Sequence, residues 1–140
     1  MRLNYIIIAI GLVTCFYASG SAQTANDPID VAQAQCLKTH HGTMPRAKCY
    51  SAASDAWQKK EEASYEILLK ILSPQMKKEL VDGQTAWIEY QKEEEALISD
   101  LYTSRGTGYI AVRIIEITKA YKARALDLES HLQTVQANSK

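Results

Sequence analysis

The sequence predicts an all-α fold: an antiparallel helical bundle with a long helical hairpin, a third long helix, a short N-terminal helix and one disulfide. Three observations carry this. Apolar residues recur at three- and four-residue steps through most of the chain, and no segment alternates with the period of two that a half-buried strand requires. Pro28, Pro45 and Pro74 stand where helices begin, because proline fits the first helical turn but cannot continue a helix. Cys36 and Cys49 form an even pair once the N-terminal stretch is set aside.

That stretch reads as a secretory signal. Arg2 supplies the positive start, and the apolar run 5–17 is shorter than the roughly 20 residues a membrane span needs. Gly20 and Ala22 meet the small-x-small rule, which places cleavage after Ala22 and leaves residues 23–140 as one helical domain. The competing reading is a lipoprotein signal, Leu12-Val13-Thr14-Cys15, with Cys15 acylated; Thr14 is a poor residue at that position. Either reading puts the protein outside the cytoplasm, periplasmic or secreted, where paired thiols oxidise. The 140-residue chain carries 16 basic and 16 acidic residues, and the leader removes only Arg2 from that balance. A near-neutral, mixed-charge domain has no electrostatic footprint for nucleic acid. It also has no polybasic segment for a lipid surface, so no membrane insertion is expected after signal cleavage.

The first helix is predicted over 28–39, with Asp27 as N-cap, Pro28 at the first position and Ile29, Ala32 and Cys36 on one face. Gly42 interrupts it, and Thr43-Met44-Pro45 opens a second helix over 46–72. Its apolar stripe is Tyr50, Ala53, Trp57, Ser64, Leu68 and Leu72. Lys59, Lys60, Glu61, Glu62, Glu66 and Lys70 fill the solvent side. Ser73-Pro74 ends this helix and starts the next, a break so tight that the two helices must form an antiparallel hairpin. The third helix, 74–102, is expected to bury Met76, Leu80, Trp87, Ile98 and Leu101, with Gly83 inside it for close helix packing. A loop over 103–108 follows. The fourth helix, 109–133, carries Ile110, Ile114, Ile117, Tyr121, Leu128 and Leu132 near heptad spacing, and the tail from Thr134 is expected to fray.

A Cys36–Cys49 bridge ties the first helix to the second. Closing a loop of this length contributes about 3 kcal/mol in the chain-entropy model. His40 and His41 make a zinc site conceivable, but the spacing matches no zinc module and the compartment favours the disulfide. No nucleophile stands in a recognisable motif beside a histidine, and the carboxylates of Glu93-Glu94-Glu95 fan outward from one helix instead of facing each other across a cleft. The sequence therefore predicts no catalytic residue, no metal and no cofactor. Glu93, Glu94 and Glu95 read as a solvated face or as a docking patch for a basic partner, to which Glu61-Glu62 add if the hairpin brings them to one side. Arg105 stands between small residues of the 103–108 loop, which reads as an ordinary helix connection or as a segment that inserts into a partner cleft. Trp57 and Trp87 occupy apolar positions of facing helices.

From Cys36 to about Leu132 the chain resembles the LprI-like lysozyme inhibitor family. Leu80, Gln84, Trp87, Ile88 and Tyr90, in the string LVDGQTAWIEY, carry the most specific part of the resemblance. Cys36, Thr43 and Cys49 match the paired-cysteine start, and Tyr65, Leu69 and Leu72 match the tyrosine-to-leucine helix ending. The chain departs from the family in lacking a second cysteine pair. Gln91 and Glu95 stand about where the family has arginine and cysteine, and Ile115 where the later cysteine would be. Glu61-Glu62 replace a Leu-Asn pair.

The resemblance implies a small exported helical protein that binds and blocks a lysozyme or another peptidoglycan-cleaving enzyme by steric occlusion. A loop or an acidic face would fill the substrate cleft of a muramidase. The alternative expectation is an envelope interaction module, or an immunity protein against a cell-wall-targeting toxin. Both are protein-binding roles, and neither is an enzyme's.

Overall fold

The computed structural model describes residues 27–102 and 108–138, and these form four helices: α1 (Pro28–Thr39), α2 (Thr43–Ile71), α3 (Pro74–Tyr102) and α4 (Gly108–Ala137). The predicted leader, its cleavage site, Cys15 and Arg105 lie outside the described residues. The all-α bundle is as predicted, and the bounds of α1 and α3 coincide with the sequence reading. α2 begins three residues earlier than predicted. The polar tail from Thr134 continues α4 to Ala137 instead of fraying.

Local chemistry explains the helix starts. Asp27 Oδ1 accepts the Ile29 N–H at 2.9 Å, the predicted cap of α1. Gly42 precedes α2 with φ at +93°, in the left-handed region where a Cβ would be strained. At the Ser73-Pro74 break, the Met76 N–H reaches Ser73 Oγ at 3.4 Å and the Leu72 N–H closes the end of α2 on the Leu68 carbonyl at 3.0 Å. The disulfide joins Cys36 of α1 to Cys49 of α2, with Cα atoms 5.7 Å apart.

The core does not lie inside the α2–α3 hairpin. The closest and most extensive packing is between α2 and α4, and α3 approaches both at greater distance. The reason is side-chain size. Ala47, Ala53, Ser54 and Ser64 of α2 and Thr118 and Ala125 of α4 are all buried, and small side chains at a contact bring helix axes together. The Thr118 hydroxyl lies 2.6 Å from the Ile114 carbonyl of its own helix and 3.1 Å from the Tyr50 carbonyl of α2. Trp57, fully buried, fills the middle of the seam against Ala53 and Ala125, with Ile29, Tyr121 and Leu126 packed around them.

α1 buries no residue completely and is held by charge as well as by the disulfide. Lys60 of α2 reaches Asp27 at 2.7 Å and Glu129 of α4 at 3.0 Å, and Lys122 of α4 reaches Asp30 at 2.6 Å. Both ammonium groups lie over the Trp57 ring, at 5.3 and 5.5 Å from its centroid, so the clamp also caps the core aromatic by cation–π attraction. Burial raises the Asp27 carboxyl, but the hydrogen bonds from Lys60 and the Ile29 amide and the charges of Lys60 and Lys122 outweigh it and hold the group below its ordinary range. Lys60 is held above its ordinary value, because its bonds to Asp27 and Glu129 overcome the cost of burial.

Two expectations for α3 need correction. Met76 and Leu101 are exposed, and the residues of α3 that are buried are Gln84 and Gln91. Gly83 is not a helix contact: a Cβ built there meets nothing within 4 Å, because the residue borders an open groove of about 480 Å³ between α3 and the C-terminal parts of α2 and α4.

Candidate protein-binding face

The position of α3 is set by a polar junction. Gln84 donates Nε2–H to Glu61 Oε1 at 2.7 Å, and its own Oε1 accepts Nε–H and Nη2–H of Arg124 at 3.0 and 2.8 Å. One glutamine thereby connects a carboxylate of α2 to a guanidinium of α4. Glu61 is only 6 % exposed, so its carboxyl is pushed above the usual range by burial, against the lowering effects of the Gln84 hydrogen bond and the Arg124 charge. Next to this junction Trp87 meets Tyr121 edge-on at 5.5 Å, and the Arg124 guanidinium lies 5.8 Å from the centre of the Trp87 ring. Burial, then the charges of Glu95 and Glu61, raise the Tyr121 phenol. Glu61 is therefore a buried structural acid and takes no part in the surface patch proposed for Glu61-Glu62; Glu62 is exposed.

Of the residues that carry the family resemblance, Gln84 and Trp87 sit at this junction, and Tyr65, Leu69 and Leu80 are half-buried. Ile88 and Tyr90 point outward and are exposed. The sequence reading placed Glu61 among solvated charges and Gln91 at a family substitution, and it did not single out Arg124. The only available signal was a glutamine in an otherwise apolar stripe, which implies a buried partner but does not say which one.

With its polar side turned inward, α3 leaves an apolar edge to solvent. Tyr90 is 59 % exposed, Leu97 51 % and Leu101 59 %, and Ile110 at the start of α4 is exposed too. Beside this edge a groove of about 330 Å³ runs between α3 and α4, bordered by Trp87, Tyr90, Glu94, Glu95, Glu116 and Ala120. The acidic run divides by role. Glu93 is exposed, Glu94 is half-buried at the groove, and Glu95 is engaged by Arg113 Nη2 of α4 at 3.2 Å. That ion pair ties together the two helices that, by the resemblance, a second cysteine pair would join. Tyr102 and Tyr109 stack at 6.2 Å between centroids and hold the facing ends of α3 and α4.

His41 and His131 are exposed. His40 lies against the disulfide, its Nδ1 3.7 Å from Cys36 Sγ. Among the described residues, no helix is long and apolar enough to cross a membrane.

The family model for the lysozyme inhibitor LprI matches residues 34–128, from within α1 to the last third of α4. No curated protein and no solved structure matches the chain. The match spans the disulfide, the Glu61–Gln84–Arg124 junction and the exposed edge of α3, and on this ground the chain belongs to the LprI lysozyme inhibitor family.

Proposed function

We propose that this protein is exported and inhibits a lysozyme or related muramidase by steric occlusion, acting as a binding protein without catalysis. The observation that supports this reading best is the outer edge of α3, where Tyr90, Leu97 and Leu101 stand exposed with Glu93 and Glu94 alongside. Exposed aromatic and aliphatic anchors supply binding energy once a partner excludes water from them. Carboxylates at the rim speed and orient association with a basic enzyme. The helix that bears them is fixed by the Glu61–Gln84–Arg124 junction and by the Glu95–Arg113 pair, so little order remains to be lost on binding. The Arg105 loop adjoins this edge in sequence and belongs to the proposed contact.

The test is a titration of oxidised 23–140 protein into a panel of animal-type, goose-type and bacterial muramidases, followed by clearance of cell-wall turbidity. Stoichiometric inhibition of one class that weakens with added salt is expected, with Leu97→Asp reducing it at least about tenfold, as loss of a binding anchor does. Undisturbed clearance across the panel overturns the proposal and leaves an envelope interaction module or an immunity protein as the function of the same face.

A further inference from the structure

Where α1 passes into α2, away from α3, three metal-ligating side chains converge. Cys36 Sγ, Cys49 Sγ and His40 Nδ1 all lie within 4.8 Å of one another. In the oxidised protein the two sulfurs are bonded to each other and ligate nothing. The position of the histidine does not depend on that bond. His40 caps α1, its backbone N–H bonded to the Cys36 carbonyl at 3.1 Å. Its Nδ1 lies 2.9 Å from that same carbonyl and 3.0 Å from Thr39 Oγ1. The imidazole thus lies over the cysteine one helical turn before it, through contacts other than the disulfide itself.

The spacing suits a soft tetrahedral metal. Zn–N bonds of about 2.0 Å and Zn–S bonds of about 2.3 Å put adjacent N and S ligands roughly 3.6 Å apart. Nδ1 and Cys36 Sγ are 3.7 Å apart in the structure. The 5.7 Å between the two Cα atoms leaves both sulfurs within reach of one ion after small side-chain rotations. Two thiolates and one imidazole form a neutral complex with a divalent ion and leave a fourth position for water.

We infer that Cys36, Cys49 and His40 form a redox-gated site for a thiophilic divalent metal such as zinc: closed while the disulfide stands, open when it is reduced. The chemistry balances. A dithiol reductant passes two electrons and two protons to the Cys36–Cys49 bond and is itself oxidised to a disulfide. The metal then displaces the two thiol protons, and the ring proton of His40 moves from Nδ1 to Nε2, so that Nδ1 presents a lone pair in place of its contact with the Cys36 carbonyl. In either state a cross-link joins α1 to α2, covalent in one and coordinate in the other. The site does not depend on the lysozyme-directed reading, because it shares no residue with the α3 edge.

The experiment is a Co(II) titration of the purified protein in a Cys15→Ala background, so that no other thiol competes, with and without a phosphine reductant. The reduced protein is expected to develop the thiolate-to-cobalt charge-transfer absorption at one equivalent, and zinc is expected to bleach it. The oxidised protein is expected to develop none. His40 is exposed, so His40→Ala tests the site without disturbing the core. It should weaken Co(II) binding at least about tenfold, since even second-shell changes at metal sites cost about 10–100-fold. Circular dichroism of the reduced, metal-free protein separates loss of fold from loss of ligation, because a helical protein that binds no cobalt overturns the inference. An affinity unchanged by His40→Ala, or equal cobalt binding by the oxidised protein, overturns it too.

Discussion

The α2–α4 seam and the α3 attachment solve the same problem by opposite means. The seam is close and built on small side chains. Small residues bring two helices together around a fully buried Trp57, and burial of apolar surface holds it. The α3 attachment is wider and polar, built on Gln84 linking Glu61 to Arg124 and on Trp87 against Tyr121. A hydrogen-bonded polar junction contributes little net energy but penalises every wrong register, since a misplaced α3 leaves a carboxylate and a guanidinium unpartnered. The difference teaches a division of labour. One region supplies stability, and the other positions a helix whose remaining surface faces solvent.

The largest expected effect is in the seam. Trp57→Ala should cost about 3–5 kcal/mol, the range for truncating a buried aromatic, and urea denaturation measures it. A loss below roughly 1 kcal/mol, within the range of ordinary surface changes, would deny the seam its role.

The polar junction should show a smaller effect with a distinctive pH dependence. Gln84→Ala leaves Glu61 and Arg124 without their shared partner and should cost about 1–3 kcal/mol. Because burial holds the folded pKa of Glu61 above its unfolded value near 4.5, its contribution to stability is complete below that pH and is lost as pH rises through the folded pKa. Removing the Gln84 hydrogen bond raises that pKa further, so the penalty of Gln84→Ala should grow from acid to neutral pH, while Glu61→Gln should flatten the profile. The Asp27 clamp has the opposite sign. Its folded pKa is depressed, so its stabilisation is present above about pH 4 and is lost as pH falls through the folded value. Denaturation midpoints of the two variants across pH 3 to 8 sharpen the comparison, and parallel profiles would erase it.

The smallest effect is a gain. Gly83→Ala should stabilise by about 1 kcal/mol, the helix-propensity difference, because its Cβ points into open space. A loss instead would mean that α3 lies closer to its neighbours than the seam comparison allows.

Much of this architecture was legible in the sequence. Helix starts are local events: Asp27 before Pro28 and Ser73 before Pro74 satisfy orphan amides with atoms two or three residues away. The stripe of α2 was read through Ala53, Trp57, Ser64 and Leu68, all of which are buried. The reading failed where a buried position was polar. Glu61 looked like solvated charge and Gln91 like a substitution, while Met76 and Leu101 looked like core. Periodicity counts apolar residues and so cannot tell a glutamine that bridges two helices from one that faces water.

What the sequence by itself determined is the number and class of the described helices, the bounds of α1 and α3, the cysteine pair and the family, because each depends on spacing along a short stretch of chain or on a recognisable string. Only the tertiary structure decided which helix pairs closely with which, that α3 turns its glutamines inward and an apolar edge outward, and that Asp30 finds Lys122 and Gln84 finds Arg124. Those partners lie 92 and 40 residues apart in the chain. Their choice rests on the size of side chains at the helix contacts, a property of two surfaces meeting that neither stretch of sequence contains alone.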